Sequence, residues 1–376
     1  MNRNLWLLAV LQGLFLTNNV TFIAINGLVG LSLAPYGWMA TLPVMGYVVG
    51  SALCTGPVAY AQARLGRSRA FQLGLAVALG SALLCAATLL AGYYNANATL
   101  YRFASAELAE PSAREKAVSL VMAGGLLGAV IGPNLAARTR NLADAPFVGA
   151  YLALAVIALL AMLLLAFIRF PPVPPKSATR GGRTLAELFR VPAFLVAAAA
   201  RALGYGVMNL LMAATPLAMQ QCGLPFSDAA FVLEWHVIGM FAPGFFTGHL
   251  IRRFGALPVM GVGAALNFGC ILVALSGVEL QQFAVALTML GVGWNFLFTG
   301  STTLALTSYA PEEKDRAQAA LNFCIFATLA VTSLASGVLV TTQGWTWLNL
   351  GSLLPVALVA AALVWLGVRN ARPATA

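Results

Sequence analysis

Glu234 lies well inside a long apolar run, and His236 follows two residues later. On a helix this spacing turns the two side chains to different faces, because same-face neighbours are three or four residues apart. Ionisable groups at such depth act as proton relays, so Glu234, with His236 assisting, is the expected site of proton binding and release. Arg102 and Arg201 are the bases that fall inside apolar runs. An arginine at a helix centre costs about 2.5–3.5 kcal/mol to insert, so it must face protein or water. The carboxylate or phosphate of an organic anion would answer Arg102; so would Glu107 or an interface. Arg201 is close enough to the start of its run to snorkel. Five cysteines (Cys54, Cys85, Cys222, Cys270 and Cys324) show no metal-ligand spacing. There is no phosphate-cradling Gly-Lys-Ser/Thr loop, two-histidine zinc helix or serine elbow, so no enzyme, metal or cofactor is expected.

The elements that must position these groups are apolar segments. Hydrophobic residues make up 60% of the 376 and charged residues 9%, too few for the polar shell of a soluble domain. Apolar runs centre near residues 5–30, 36–62, 70–91, 93–109, 117–137, 147–168, 191–219, 226–251, 256–277, 281–309, 317–342 and 345–368. Of the 21 lysines and arginines, all but Arg102, Arg138, Arg140 and Arg201 fall at the termini or in every second gap. Bases accumulate on the side that does not cross the bilayer. The pattern therefore predicts an all-α, multi-pass protein of the bacterial inner membrane, with twelve transmembrane helices and both termini cytoplasmic. A net charge of +10 spread over such loops meets lipid headgroups and does not imply nucleic acid.

Arg169–Arg190 is the longest polar stretch, with Pro171-Pro172-Val173-Pro174-Pro175 and Gly181-Gly182, and reads as a linker. It separates a six-helix bundle at 1–170 from another at 191–376, with residues 171–190 between them. Thr184–Phe189 suits a short interfacial helix. The halves echo each other. Arg64-Leu65-Gly66 recurs as Arg253-Phe254-Gly255, and Pro111-Ser112-Ala113-Arg114-Glu115-Lys116 recurs as Pro311-Glu312-Glu313-Lys314-Asp315-Arg316. This suggests parallel repeats about an axis along the membrane normal. The first half is about three helical turns shorter across its third and fourth spans. A shortened hairpin with its turn in Ala86–Asn97 is expected there.

Twelve spans, a central linker and a base-flanked glycine after spans two and eight resemble the major facilitator superfamily over the whole chain. The family's loop between helices two and three aligns with Ala59-x-x-x-Ala63-Arg64-Leu65-Gly66-Arg67-Ser68 and, in the second half, Gly248-x-x-x-Arg252-Arg253-Phe254-Gly255. Both copies keep the turn glycine and a base but lack the acid with which the family locks its gate. Gly128-Ala129-Val130-Ile131-Gly132-Pro133 is similar to a glycine-proline motif of the family's exporters, which implies export; ordinary close packing through small residues is the alternative. Tyr101-Arg102-Phe103-Ala104, Gly204–Asn209, Glu234-Trp235-His236 and Gly293-Trp294-Asn295-Phe296 resemble a bacterial subgroup of largely unassigned substrate.

The resemblance implies a central cavity lined by helices one, four, seven and ten. On those helices Asn18, Asn19, Asn95, Tyr101, Arg102, Tyr205, Asn209, Trp294 and Asn295 are the candidate substrate ligands. Rings and amides with few charges suit a planar or amphipathic organic molecule. The expectation is a monomeric secondary transporter exchanging such a molecule for protons. Uptake with the same fold, and a non-transporting sensor, are the alternatives.

Overall fold

The computed structural model describes residues 3–84, 88–110, 114–171 and 182–371, and every regular element among them is a helix. In order these are α1 (Arg3–Leu33), α2 (Leu42–Leu83), α3 (Thr88–Ala98), α4 (Tyr101–Leu108), α5 (Arg114–Thr139), α6 (Val148–Ala166) and α7 (Leu185–Arg190). They are followed by α8 (Pro192–Gln221), α9 (Phe226–Phe241), α10 (Gly244–Phe254), α11 (Ala256–Leu275), α12 (Leu280–Leu306), α13 (Lys314–Thr342) and α14 (Gly344–Ala371). Single 3₁₀ turns at Gly37–Met39 and Pro311–Glu313 precede α2 and α13.

Nine of the described helical runs are long and apolar enough to cross a bilayer, and α9 with α10, bent by 41°, makes a tenth. One of the nine, Gly37–Leu83, has 47 residues, about twice what a crossing requires. It breaks at Gly66, whose φ of 77° and ψ of 168° lie in a region that side-chain-bearing residues avoid. Gly255, between α10 and α11, adopts φ 88° and ψ 164°. The repeat seen in the sequence is thus a repeat of backbone geometry, and it ends spans two and eight in the same way. With α2 counted as two crossings and α3 joined to α4 as one, the described helices account for twelve.

Of the interval Ala86–Asn97 in which the hairpin's turn is expected, residues 88–97 are helical. Leu84 ends α2 and α3 begins at Thr88, residues 85–87 lying outside those described. Asn95 and Asn97 do not break the helix, because partners beside it bind their amides: Asn97 Nδ2 donates to Ala70 O (2.6 Å) and its Oδ1 accepts from Gln62 (2.9 Å).

The faces turned outward are apolar. On α6, Leu152, Val156, Leu159, Leu160 and Leu163 form an exposed stripe at helical spacing, as a lipid-facing helix requires. Inside, α1 lies on α5 through small residues. A Cβ on Gly128 would meet Gly13 O and Leu16 Cβ at 2.6 Å, and Thr21 Oγ1 donates to Gly132 O (2.8 Å).

The two bundles meet at the end away from the termini. There Thr41 Oγ1 accepts from Gly337 N (3.0 Å), Gly27 sits on Leu217, and the Arg140 guanidinium lies over both Phe147 (4.9 Å) and Phe226 (5.3 Å). α5 packs along α9 and not along α10, so the bundles diverge towards the end that holds the termini.

Of the expected linker, residues 172–181 lie outside those described. Its far part is docked on the second bundle. Thr184 caps α7 in a capping box with Glu187, and Leu188 is buried beside Phe194 and Ala317. Arg183 Nε and Nη2 grip Glu313 (2.9 and 2.8 Å), which also accepts from the backbone N–H groups of Arg183 and Ala310. The Arg183 guanidinium, and then those two N–H groups, hold the Glu313 carboxyl down at about 2.

Candidate functional site

Halfway along the first bundle, side chains from three helices join in one hydrogen-bond chain. Asn19 Nδ2, at the middle of α1, donates to Tyr47 Oη (2.6 Å) and approaches Asn95 Oδ1 (3.4 Å). Asn95 Nδ2, on α3, donates to Ser51 Oγ (2.9 Å), whose hydroxyl donates to Tyr47 O (2.8 Å). Tyr47 and Ser51 are buried, whereas Asn19 and Asn95 are half-buried. The network answers the cost of placing amides in an apolar bundle and holds both at fixed orientation.

At the middle of α8 and α12 the second bundle carries rings. Trp294 and Phe298, one turn apart on α12, stack with centroids 4.8 Å apart and planes 16° apart. Tyr205 on α8 meets them edge-on at 5.2 and 5.9 Å. One turn below it, Arg201 lies 4.6 Å over the Phe298 ring and donates to Thr302 Oγ1 (3.3 Å). Tyr205 and Phe298 are half-buried and pack against the cluster that Val48 of α2, the neighbour of Tyr47, forms with Ile325 and Leu329 of α13. The ring cluster therefore meets α2, the helix that carries Tyr47 and Ser51 of the amide chain, across the seam between the bundles. A planar group could lie against the rings while the amides bind its edge.

Several expected ligands point elsewhere. Tyr101 is 1% exposed and packs inside the first bundle, edge-on to Phe71 (4.8 Å) and Phe15 (6.4 Å). Asn18, next to Asn19 but turned to another face, borders a gap among Phe22, Ala78, Tyr94 and Tyr151 of the same bundle. Asn209 Nδ2 donates to Ser333 Oγ (2.9 Å) and Thr332 Oγ1 (3.1 Å), tying α8 to α13. Asn295 holds the break in span eight: its Nδ2 donates to Met240 O (2.7 Å), and its Oδ1 accepts from Thr247 Oγ1 (2.7 Å). Pro243, at that break, has no N–H to donate, and a side chain of α12 binds across the interruption. The Arg102 side chain lies outside those described.

Glu234 and His236 separate as their spacing requires. His236 is fully buried and its Nδ1 lies 2.7 Å from Leu287 O, so that nitrogen carries the proton; Nε2 has no partner among the described residues. Glu234 is half-buried and accepts from Asn134 Nδ2 on α5 (2.7 Å). Asn134 directly follows the Gly132-Pro133 pair, and nothing in its residue type or spacing sets it apart from other asparagines of the chain.

The gating loops are unequal. Arg67 grips Glu107 of α4 through Nε (3.0 Å) and Nη2 and reaches Gln62 Oε1 (3.1 Å) through Nη1. The acid missing from the loop is thus supplied by the end of span four. In the second copy Arg252 and Arg253 are exposed, and among the described residues neither forms an ion pair. Arg64 lies over Tyr60 (5.0 Å) and Arg253 over Phe254 (5.2 Å), each stacking within its own helix. Nothing crowds Gly248. Gly128 and Gly132 of the span-five motif pack on α1, as ordinary small-residue packing predicts.

Two repeated bundles of membrane-crossing helices, with polar groups gathered at mid-depth on their seam, define the architecture of a secondary transporter. The chain matches the model of the Major Facilitator Superfamily over residues 5–266 and 197–376, and it belongs to that family. It is 37% identical over 363 residues to a riboflavin transporter of Brucella anthropi, covering 92% of this chain and 91% of the relative. It is 26% identical to an uncharacterized MFS-type transporter of Bacillus subtilis, covering 87% and 82%. A bacterial homologue of the human lysosomal transporter Spinster, in an inward-facing and occupied conformation, superposes with a TM-score of 0.73 at 14% identity, covering 99% of this chain and 98% of that one.

Proposed function

We propose that the protein carries a planar, hydrogen-bonding heteroaromatic metabolite of the riboflavin type across the bacterial cytoplasmic membrane by alternating access, with its termini and linker on the cytoplasmic side. One observation supports this most directly. A half-buried ring surface of Tyr205 and Phe298, backed by Trp294, meets across the seam the helix α2 whose Tyr47 and Ser51 hold the half-buried amides Asn19 and Asn95. An isoalloxazine-like ring has the matching features, a broad apolar face and an edge of carbonyl and imide groups. The riboflavin-transporting relative, alike over nearly the whole chain, supports the same substrate class.

Purified full-length protein and riboflavin, whose fluorescence is quenched by stacking on aromatic side chains, provide the test. Saturable quenching that riboflavin analogues compete away, and that plain sugars or carboxylates leave untouched, is the expected result. Absence of saturable quenching in monodisperse protein would overturn the assignment. Direction is then read by comparing riboflavin accumulation in right-side-out and everted vesicles. The motif that implied export is accounted for by packing of α1 on α5, so export receives no separate support from it.

A further inference from the structure

We infer that Asn134 and Glu234 form the proton site that couples ion movement to opening of the end away from the termini, an assignment that rests on the proposed transport function. The bond between them joins the two bundles, since Asn134 belongs to α5 and Glu234 to α9. It lies in the part of the seam where the bundles are closed, alongside the clamp of Arg140 on Phe147 and Phe226. Asn134 Nδ2 also donates to Val130 O (2.8 Å), so the amide is fixed by its own helix and presents its other hydrogen to the carboxylate.

The partner of Glu234 distinguishes it from the two carboxylates held in ion pairs. Glu107 and Glu313 are each gripped by a guanidinium, so taking up a proton would leave a cation without its counter-charge. Glu234 faces a neutral amide, and a proton can enter without breaking an ion pair. Among the described residues no cation forms an ion pair with Glu234, and Arg140, the base of this end, is held over Phe147 and Phe226. α1 has no titratable side chain after Arg3, and α5 has none between Ala117 and Ala137, its next base being the exposed Arg138. α12 and α6 carry no charged residue, and the charges of α8 and α10 are Arg201, Arg252 and Arg253, towards the other end. On α9 itself, Asp228 lies nearer the helix start and His236 is turned to Leu287 O.

The step balances simply. A hydronium ion gives its proton to Glu234 Oε2, an O–H bond forms, water leaves, and the amide of Asn134 keeps both hydrogens and its bond to Val130. The interbundle bond loses its charge assistance, which is worth roughly a tenfold change in the ratio of closed to open states. Opening separates α5 from α9 and exposes Glu234 to the water on that side, where the proton exchanges.

The test uses full-length protein without substrate, with spin labels at Leu142→Cys and Val278→Cys, both exposed on opposite bundles at the closed end, in a Cys222→Ser background. Interspin distances are measured at pH 8 and at successively lower pH until the distribution stops changing. The expected result is one short distance at pH 8 and a roughly tenfold larger long-distance population at the low-pH limit. Glu234→Gln should show the long population at both pH values. Asn134→Ala, which removes the same bond from the opposite side, should do so even where Glu234→Gln fails to fold. A distribution unmoved by pH and by either variant would overturn the proton site. Because no substrate is present, that outcome leaves the transport function to be decided separately by riboflavin quenching.

Discussion

The two bundles bring unlike surfaces to the seam they share. On the first, Asn19 and Asn95 stand half-buried, held by Tyr47 and Ser51, so hydrogen-bonding groups face the partner bundle. On the second, the amides are turned inward, Asn209 to α13 and Asn295 to the break in span eight, and the facing groups are the rings of Tyr205 and Phe298. A duplicated backbone has therefore diverged into an amide side and an aromatic side. That asymmetry suits a ligand which is itself two-sided, flat and apolar on its faces and polar along one edge.

Single substitutions on either side probe this division of labour. The largest expected effect is Tyr205→Ala, which removes a half-buried ring without opening the core; riboflavin affinity should fall roughly 10- to 30-fold, about 1.4–2 kcal/mol, with little change in melting temperature. Fluorescence titration beside a thermal melt checks both halves of that statement. Asn95→Ala should weaken binding less, about fivefold, as expected for one neutral hydrogen bond. Asn209→Ala should leave riboflavin affinity unchanged and lower stability by about 1 kcal/mol, since its partners lie within its own bundle. Equal losses of affinity in Asn95→Ala and Asn209→Ala would dissolve the distinction between the two sides.

The smallest effect concerns the linker clasp. Glu313 has its carboxyl lowered from 4.5 to about 2, so its contribution to stability is present above the higher value and fades only as pH falls towards the lower. Between pH 8 and pH 5 the destabilisation caused by Arg183→Ala should be constant in differential scanning fluorimetry. A pH-dependent difference in that window would move proton sensing from the seam to the linker.

The crossings were legible because bases mark one side of a membrane and because Gly66 and Gly255 repeat at span ends. Asn19 and Asn95 were legible as polar residues in apolar runs. What the sequence did not carry is rotation. Asn18 and Asn19 look alike in a string, yet one faces its own bundle and the other the seam. Tyr101 lies in the core of its bundle, since a ring in a membrane helix serves a core as readily as a cavity. Asn295 bonds within its own bundle, and the demand it meets there, an interrupted helix at Pro243, arises some fifty residues earlier. Tyr47 was missed because it lies on span two, outside the helices the family resemblance singles out. Asn134 had no signal beyond following a proline.

The break at Gly66 leaves residues 67–83 as the described helix of span three, about 25 Å against a hydrocarbon layer of about 30 Å. Lipid beside this hairpin must thin, or the short helix must hold its ends below the headgroups, and each ångström of such mismatch carries a modest elastic cost. The second bundle has no such defect, α11 and α12 being longer. Among the described helices of these two hairpins the mismatch therefore falls on one flank, and activity should respond to acyl-chain length in reconstituted vesicles, rising in thinner membranes.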